Sequence, residues 1–152
     1  MDRKFKDFGA IKLIYQDLER GALSILNYNH SCFPSEQHAK DFASHWIKAW
    51  NDHNIEAIIS HYADDVEYFS AFSKKVSDNP SGTLRGKVNV KEYLARGLAA
   101  YPDLHFELFE VFLGVTSVVL RYKSVNNLIA AEVFEFDDTG LVKRVQCHYH
   151  RP

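Results

Sequence analysis

The stretch WIKAWNDHNIEAI (Trp46–Ile58), followed by HYADDV (His61–Val66), decides the fold. Its first part belongs to the segment Glu36–Asn51, whose apolar residues recur on one helical face: Ala39, Phe42, Ala43, Trp46, Ala49 and Trp50. That spacing, close to 3.6 residues, predicts a long amphipathic helix. A second, short helix is expected over Ile55–Tyr62, and the β-forming residues of Val66–Phe72 predict a strand.

The residues after this stretch predict a third helix and then a series of strands. Lys74–Gly86 reads as a polar loop, and the helix Val88–Ala100 must end before Pro102 because proline cannot continue a helix. Four strands are then expected: His105–Leu113, Thr116–Val125, Leu128–Phe136 and Leu141–His150. Tight turns at Asn126–Asn127 and Asp138–Gly140 would join the last three. Helices followed by a meandering sheet predict an α+β fold.

The first 35 residues predict a helical extension ahead of the main domain, which we place at residues 36–152. Apolar residues with a period near 3.6 indicate an amphipathic helix over residues 7–28. Pro34 disfavours helix at the residue before it, and Ser35 is a suitable N-cap for the next helix. The extension either packs on the main domain or forms an arm that contacts a partner.

Composition excludes several classes of protein. The chain of 152 residues is 46% hydrophobic and 25% charged, which favours an ordered globular domain over a disordered one. A net charge of −2 without a basic block gives no electrostatic case for nucleic acid. No apolar run is long enough to cross a membrane, and the charged N-terminus does not resemble a secretory signal. Cys32 and Cys147 form no spacing motif, so we expect free thiols and a cytoplasmic protein.

Together these segments resemble the nuclear transport factor 2-like (NTF2-like) superfamily, in particular its SnoaL-like and ketosteroid-isomerase-like branches. The likeness is carried by the two opening motifs and by LRGKVNVKEYL (Leu84–Leu94) and FEFDDTGLV (Phe134–Val142). It implies a cone in which a curved mixed or antiparallel sheet wraps around three helices and encloses a deep pocket. It also implies a homodimer formed through the outer face of the sheet, and an activity that needs no cofactor.

The resemblance to ketosteroid isomerase places most of that enzyme's catalytic positions on unsuitable side chains. The carboxylate base falls at Ser70, the oxyanion tyrosine at Trp46 and the oxyanion acid near Ile129. A supporting tyrosine falls at Leu94, and only Tyr62 keeps its expected identity. We therefore expect no steroid-type isomerisation, because a serine hydroxyl is too weak a base and an indole can donate a hydrogen bond but cannot exchange a proton as a phenol can.

The resemblance to limonene-epoxide hydrolase leads to a similar conclusion. Its Asp-Arg-Asp set would fall at Cys147 and near Leu120 and Tyr122, so that set is also absent. No metal-ligand spacing, phosphate-binding loop or serine-nucleophile motif is present, so we expect neither a metal nor a cofactor.

The same comparison, with alternation along each strand, predicts which side chains face the pocket. Val145, Cys147 and Tyr149 would point inward, and pairing across the two turns would bring Ala131 and Val133 to the same side. The predicted ligand-binding pocket comprises Trp46, Trp50, Tyr62, Tyr68, Ser70, Leu94, Leu98, Leu120, Tyr122, Ile129, Ala131, Val133, Val145, Cys147 and Tyr149. Such an apolar, aromatic set suits a small hydrophobic molecule held by a few hydrogen bonds.

Three charged or titratable residues are the candidates for catalysis: Arg121, Glu132 and His148. In one interpretation, Arg121 and Glu132 pair across a two-residue Asn126–Asn127 turn on the outer face, where such pairs commonly occur. In the other, the strands are shifted by one residue, and Glu132 and His148 point inward as an acid–base pair.

The sequence therefore predicts a protein that binds a small hydrophobic molecule. Any catalysis would be of the isomerase, cyclase or epoxide-hydrolase type and independent of a cofactor. The alternative is a non-catalytic module for binding or protein interaction, which the missing family carboxylates favour.

Overall fold

The computed structural model describes residues 34–76 and 80–150. The described helices are α1 (Glu36–Asn51), α2 (Ile55–Ile59), α3 (Ser73–Val76) and α4 (Lys87–Ala100), with a 3-10 helix at Val125–Asn127. The strands are β1 (Tyr62–Phe69), β2 (Thr83–Arg85), β3 (Glu107–Leu113), β4 (Ser117–Lys123), β5 (Ile129–Phe136) and β6 (Val142–His150). The helix predicted over residues 7–28 lies outside the described residues.

Helix α1 has the bounds that its sequence predicts. The Ser35 hydroxyl caps it by accepting a hydrogen bond from the His38 backbone N–H at 3.1 Å. Its six predicted apolar residues are all buried. They pack with apolar residues of α2, α4 and the sheet in one hydrophobic core. The recurrence of apolar residues about every 3.6 positions therefore predicted correctly both that this segment is a helix and where the helix begins and ends.

The six strands form one open, curved, mixed sheet in the order β2-β1-β6-β5-β4-β3. Strands β3 to β6 pair antiparallel with their neighbours, and β1 pairs with β2 antiparallel. The exception is β1 with β6, which run parallel. The predicted α+β architecture, with a curved sheet around three main helices, is confirmed.

Two local predictions around β1 differ from the structure. Helix α2 ends at Ile59, and Tyr62, expected in the helix, is the first residue of β1 and pairs with Val142. The segment predicted as a polar loop contains β2, which pairs with β1 over only three residues. Both differences arise from pairing between distant segments, which local sequence patterns do not show.

The side chains of strand β5 point to the opposite faces of the sheet from those predicted, because the pairing register is shifted by one residue at each end of the strand. The Asn126–Asn127 turn forms, with φ of 56° and 59°, and the Leu128 N–H donates to the Val125 carbonyl at 3.1 Å. However, the Ser124 N–H donates to the Leu128 carbonyl at 2.7 Å, so Lys123 pairs with Ile129.

The second slip is a bulge in β6 at Lys143. Phe136 pairs with Val142, as the predicted turn requires, but Glu135 pairs with Arg144. One extra residue on the β6 side shifts every later pair. As a result, Glu132 lies opposite Leu120 and Cys147 rather than beside Arg121, which pairs with Ala131.

These two register shifts exchange the inner and outer faces of β5, so the residues of β5 that were predicted for the pocket lie on the outer face of the sheet. Ala130, Glu132, Phe134 and Phe136 are the buried residues of β5 and face the helices. Ile129, Ala131 and Val133 alternate with them on the outer face, so their predicted pocket positions are wrong. The residues predicted to point inward on β4 and β6 do lie on the inner face, because the two one-residue shifts on either side of β5 cancel between β6 and β4.

Candidate functional site

A cavity of about 170 Å³ lies between α4, the inner face of the sheet and the connections on either side. Its lining is mostly aromatic and aliphatic: Trp50, Tyr68, Phe72, Tyr93, Leu94, Arg96, Gly97, Ala100, Tyr101, Leu104, Phe106, Tyr122, Ser124, Val125, Glu132 and Tyr149. Glu132 is the single carboxyl among these described lining residues. Arg96, the single cation among them, is exposed to solvent.

The Glu132 carboxyl is held in place by one hydrogen bond from a neighbouring strand. Glu132 is 2% exposed, and the Tyr122 hydroxyl donates to its Oε1 at 2.8 Å. Its Oε2 has no hydrogen-bond partner among the described residues. A buried polar atom without a partner is uncommon, because losing its water costs about 1–3 kcal/mol. Oε2 is thus the carboxyl oxygen without a hydrogen bond among the described residues, in a side chain that lines the cavity and lies across the strand pair from Cys147.

The environment of Glu132 shifts its protonation to near-neutral pH. Burial disfavours the charged carboxylate and raises the pKa of Glu132 from 4.5 to about 7. The Tyr122 hydrogen bond, the Cys147 thiol and the charge of His148 oppose this rise only in part. Glu132 is consequently close to half-protonated at physiological pH, which suits a group that both accepts and returns a proton.

The other polar groups around Glu132 are neutral donors rather than bases. Burial raises the pKa of Tyr68, Tyr122 and Tyr149 and of the Cys147 thiol well above their usual values. The pKa of Tyr93 rises to about 12, again chiefly through burial. All five groups stay protonated at neutral pH, so Glu132 alone among them changes charge there.

Stacked aromatic rings form the wall on the α1 side of the cavity. The Trp50 ring lies 5.1 Å from that of Phe106, which lies 4.7 Å from that of Tyr122. Behind them, Trp46 packs 5.7 Å from Trp50 and donates its indole N–H to the Tyr62 hydroxyl at 3.0 Å. Large rings in fixed contact keep the wall rigid.

The structure places the residues predicted for the pocket in four groups. Trp50, Tyr68, Leu94, Tyr122 and Tyr149 line the cavity. Trp46, Tyr62, Ser70, Leu98, Leu120 and Val145 are buried in the core but do not line it. Cys147 lies across the strand pair from Glu132. Ile129, Ala131 and Val133 face outward, as described above.

The predicted catalytic candidates are separated rather than brought together. Arg121 lies on the outer face, where its Nη1 donates to Glu110 Oε2 at 2.7 Å. His148 is exposed there, with Nδ1 3.2 Å from the Ala131 carbonyl oxygen. Both interpretations of Glu132 are therefore wrong: it neither pairs with Arg121 nor shares the pocket with His148. It faces the cavity alone.

Several lining residues were missed by the sequence analysis. Tyr93, Gly97 and Tyr101 recur every four residues and so lie on one face of α4 and its end. That spacing was a usable signal, since residues four apart are neighbours on a helix. Phe106 and Val125 gave no such signal, because they lie in connections whose path depends on the folded sheet.

Metal and membrane sites were also searched. In residues 34–76 and 80–150, no group of three or more His, Cys, Asp or Glu side chains could hold a metal ion. None of the helices in this part of the chain is long and apolar enough to cross a membrane.

Known proteins similar to the chain share this domain. The profile of the SnoaL-like domain family matches residues 43–145. A SnoaL-like protein of unknown function from Burkholderia thailandensis is 39% identical, with a TM-score of 0.75, covering 77% of this chain and 98% of its own. No protein of curated function matches the sequence.

More distant solved structures agree in fold alone. An NTF2-like protein of unknown function from Burkholderia xenovorans is 16% identical, with a TM-score of 0.62 over 77% of this chain and 86% of its own. One from Cytophaga hutchinsonii is 12% identical, with a TM-score of 0.58 over 74% and 89% of the two chains. The fold and its inward-facing cavity define an NTF2-like domain, and the chain belongs to the SnoaL-like family within that group.

Proposed function

We propose that the protein binds a small, mainly apolar molecule in the cavity and that Glu132 moves a proton to or from it without a cofactor. One observation carries this proposal: a single carboxyl, with a pKa of about 7 and one oxygen without a hydrogen bond among the described residues, lines an aromatic cavity whose other charged lining residue, Arg96, is exposed. Groups tuned to the working pH in this way are concentrated at catalytic sites.

The size of the cavity limits the molecule that it can enclose. A dry apolar cavity of about 150 Å³ accommodates a molecule the size of benzene. The present cavity, at about 170 Å³, therefore suits one small ring. The enclosed part should also be uncharged, since the only cation among the described lining residues is the exposed Arg96.

A ring that bears a carbonyl group fits the polar groups present. Oε2 of the Glu132 carboxylate would accept a proton from the carbon next to the carbonyl, while the Tyr122 hydroxyl fixes Oε1. The C–H bonding electrons would pass to the carbonyl oxygen, giving an enolate that the neutral hydroxyls of Tyr93 or Tyr149 can stabilise. In a ketone with a carbon–carbon double bond between its β and γ carbons, the product of this step is a dienolate, and return of the proton to the γ carbon moves the double bond into conjugation and completes an isomerisation.

Exchange of carbon-bound hydrogen for deuterium tests this function. Small cyclic ketones, beginning with cyclohexanone, would be incubated with the protein in D₂O and followed by proton NMR. We expect exchange to be accelerated by the wild-type protein and to fall by at least about 100-fold in Glu132→Gln. Glu135→Gln, on the outer face of the same strand, is the matched control.

The pH dependence of the exchange rate identifies the role of Glu132. If its carboxylate is the base, the rate rises with pH and levels off above about 7, where the carboxyl is ionised. Exchange by Glu132→Gln at the wild-type rate, or failure of every ketone in the panel to bind, would refute the proposal.

We also propose that the protein is a homodimer through the outer face of the sheet. Phe109 and Phe112 of β3 are 40% and 52% exposed, which is unusual for large apolar side chains. Val119, Ala131 and Val133 are partly exposed on the neighbouring strands of the same face. An exposed apolar patch of this kind, rimmed by charged residues such as Arg121, is typical of a protein interface.

For the location of the protein, we propose the cytoplasm. Cys147 is a free thiol beside the site, and free thiols persist in a reducing compartment. Fractionation of the expressing cells tests this, and recovery of the protein from an oxidising compartment would contradict it.

A further inference from the structure

A larger groove adjoins the cavity. Five residues line both spaces: Ala100, Tyr101, Leu104, Ser124 and Val125. Tyr101 and Val125 belong to different connections, the one after α4 and the one between β4 and β5, so the two spaces meet at these connections. The outer groove, about 580 Å³, is several times larger than the inner cavity.

The chemistry of the lining changes between the two spaces. The inner cavity is aromatic, whereas the outer groove is lined by polar and charged residues, among them Asp103, His105, Glu107, Lys123, Asn126 and Asn127. With two carboxylates against one ammonium group, the groove has no excess of positive charge. It offers hydrogen bonds in a solvated setting, without a site built for an anion.

Hydrogen bonds to the backbone hold one wall of the groove in place. The Asn51 amide donates to the Phe106 carbonyl at 3.0 Å and accepts from the Phe106 N–H at 2.7 Å. His53 Nε2 lies 3.1 Å from the Leu104 carbonyl oxygen. On the opposite wall, Asn126 and Asn127 are exposed and have left-handed backbone conformations. A preformed groove reduces the entropy that a ligand loses on binding.

We propose that the natural ligand has two parts: a compact apolar ring in the inner cavity and an uncharged, hydrogen-bonding tail in the outer groove. This inference rests on the proposed function, because the ring is the part that meets Glu132. A molecule larger than one ring would have to extend beyond the cavity, and the groove that shares five of its lining residues offers polar contacts there. Asp103 and Glu107 disfavour an anionic tail by repulsion.

Three probes separate the contributions of ring and tail. They are cyclohexanone, cyclohexanone with a triethylene glycol chain at the carbon opposite the carbonyl, and the same molecule ending in a carboxylate. Binding is measured by calorimetry and by fluorescence of Trp46 and Trp50, the only two tryptophans, both at or behind the cavity wall. We expect the glycol probe to bind about tenfold more tightly than cyclohexanone, the effect of one or two net hydrogen bonds. The carboxylate probe should bind more weakly than the glycol probe.

Two variants assign these effects to the groove. Replacing Asn126 and Asn127 together by glycine removes both amides while allowing the left-handed backbone, so the turn should still form. This variant should lose most of the advantage of the glycol probe and keep the affinity for cyclohexanone. Asp103→Lys, an exposed change, should instead raise the affinity for the carboxylate probe.

The outcomes separate this inference from the function on which it rests. If cyclohexanone binds and its exchange depends on Glu132, but the glycol chain adds nothing, the two-part ligand is refuted and the proposed function stands. The same holds if the advantage of the chain survives in the double glycine variant. If neither cyclohexanone nor any other ketone of the panel binds, with or without the glycol chain, both proposals are wrong.

Discussion

Glu132 binds its proton more tightly in the folded protein than in the unfolded chain. Burial raises its pKa from 4.5 to about 7, so the neutral form is favoured by folding. The sign follows from linkage: this contribution to stability is fully present below pH 4.5 and is lost as the pH rises through about 7. The pKa difference corresponds to about 3 kcal/mol, at roughly 1.4 kcal/mol per pKa unit.

Glu132→Gln should remove this pH dependence, because an amide does not ionise. Between pH 4.5 and pH 7–8, the free energy of unfolding of the wild-type protein should decrease. We expect this decrease to be about 3 kcal/mol larger than the change in the variant over the same range. Urea unfolding at a series of pH values measures both. His38 and His61, whose pKa values burial lowers, act in the opposite sense but cancel in the difference. Parallel curves for variant and wild type would show that Glu132 is not buried as described.

Tyr122→Phe should raise the pKa of Glu132 further. The Tyr122 hydrogen bond favours the charged carboxylate and so opposes the effect of burial. Its loss should move the midpoint of the pH–rate profile above about 7. Stability should fall by about 1–2 kcal/mol above neutral pH, where the carboxylate loses its donor. Carbon-13 NMR of the Glu132 carboxyl gives the pKa directly. A midpoint that stays unchanged or falls would contradict this account.

At the scale of the element, β5 shows why the sequence left the orientation of Glu132 open between two faces of the sheet. Its two faces have nearly the same composition: Ala130, Glu132, Phe134 and Phe136 inside, and Ile129, Ala131, Val133 and Glu135 outside. Each face carries one glutamate among apolar residues, so hydrophobic alternation cannot choose between them. The choice depended on the register at the two ends of the strand. The turn before β5 has one residue more than predicted, and β6 carries a bulge at Lys143, and no local pattern reveals either.

Helix α1 is the opposite case. Its apolar residues occupy one face over four turns, and a hydroxyl cap precedes the first turn. Pattern and cap agree, so its bounds and its inward-facing Trp46 and Trp50 followed from the sequence. The cavity wall supplied by α1 was therefore predictable, and the wall supplied by β5 was not.

The turn before β5 should tolerate glycine better than alanine. Asn126 and Asn127 have φ of 56° and 59°, a region that alanine adopts at a cost of about 1 kcal/mol or more. We expect Asn126→Ala and Asn127→Ala each to destabilise the protein by about 1 kcal/mol, and the glycine variants to do so by less. Thermal unfolding measures the difference. Equal effects of alanine and glycine would mean that the left-handed backbone is not retained.

At the scale of the whole molecule, the order of the elements and the family motifs predicted the fold, because helix and strand types were clear. The parallel pairing of β1 with β6 was not predicted from the residues themselves, since it joins segments about 80 residues apart. The aromatic character of the cluster beside α1 was predicted from the spacing on that helix. The mouth of the cavity was not, because the mouth is assembled from connections that only the folded sheet brings together.

Phe112→Glu should convert the proposed homodimer to a monomer. Phe112 is 52% exposed on the outer face of β3, and a charge there would have to be buried on association. Val88→Glu is the control, because Val88 is 71% exposed on α4, away from that face. Light scattering coupled to size-exclusion chromatography measures the mass. A wild-type monomer, or a dimer unaffected by Phe112→Glu, would show that the outer face is not the interface.

The position of β6 bears on how the chain is made. β6 is the last of the described strands to be synthesised, yet it lies between β1 and β5 in the sheet. On the ribosome, β1 and β5 therefore keep open edges until residues 142–150 have left the exit tunnel. Open strand edges are templates for association between chains. The nascent protein is thus most prone to aggregate late in translation, and a pause just before β6 would prolong that exposure.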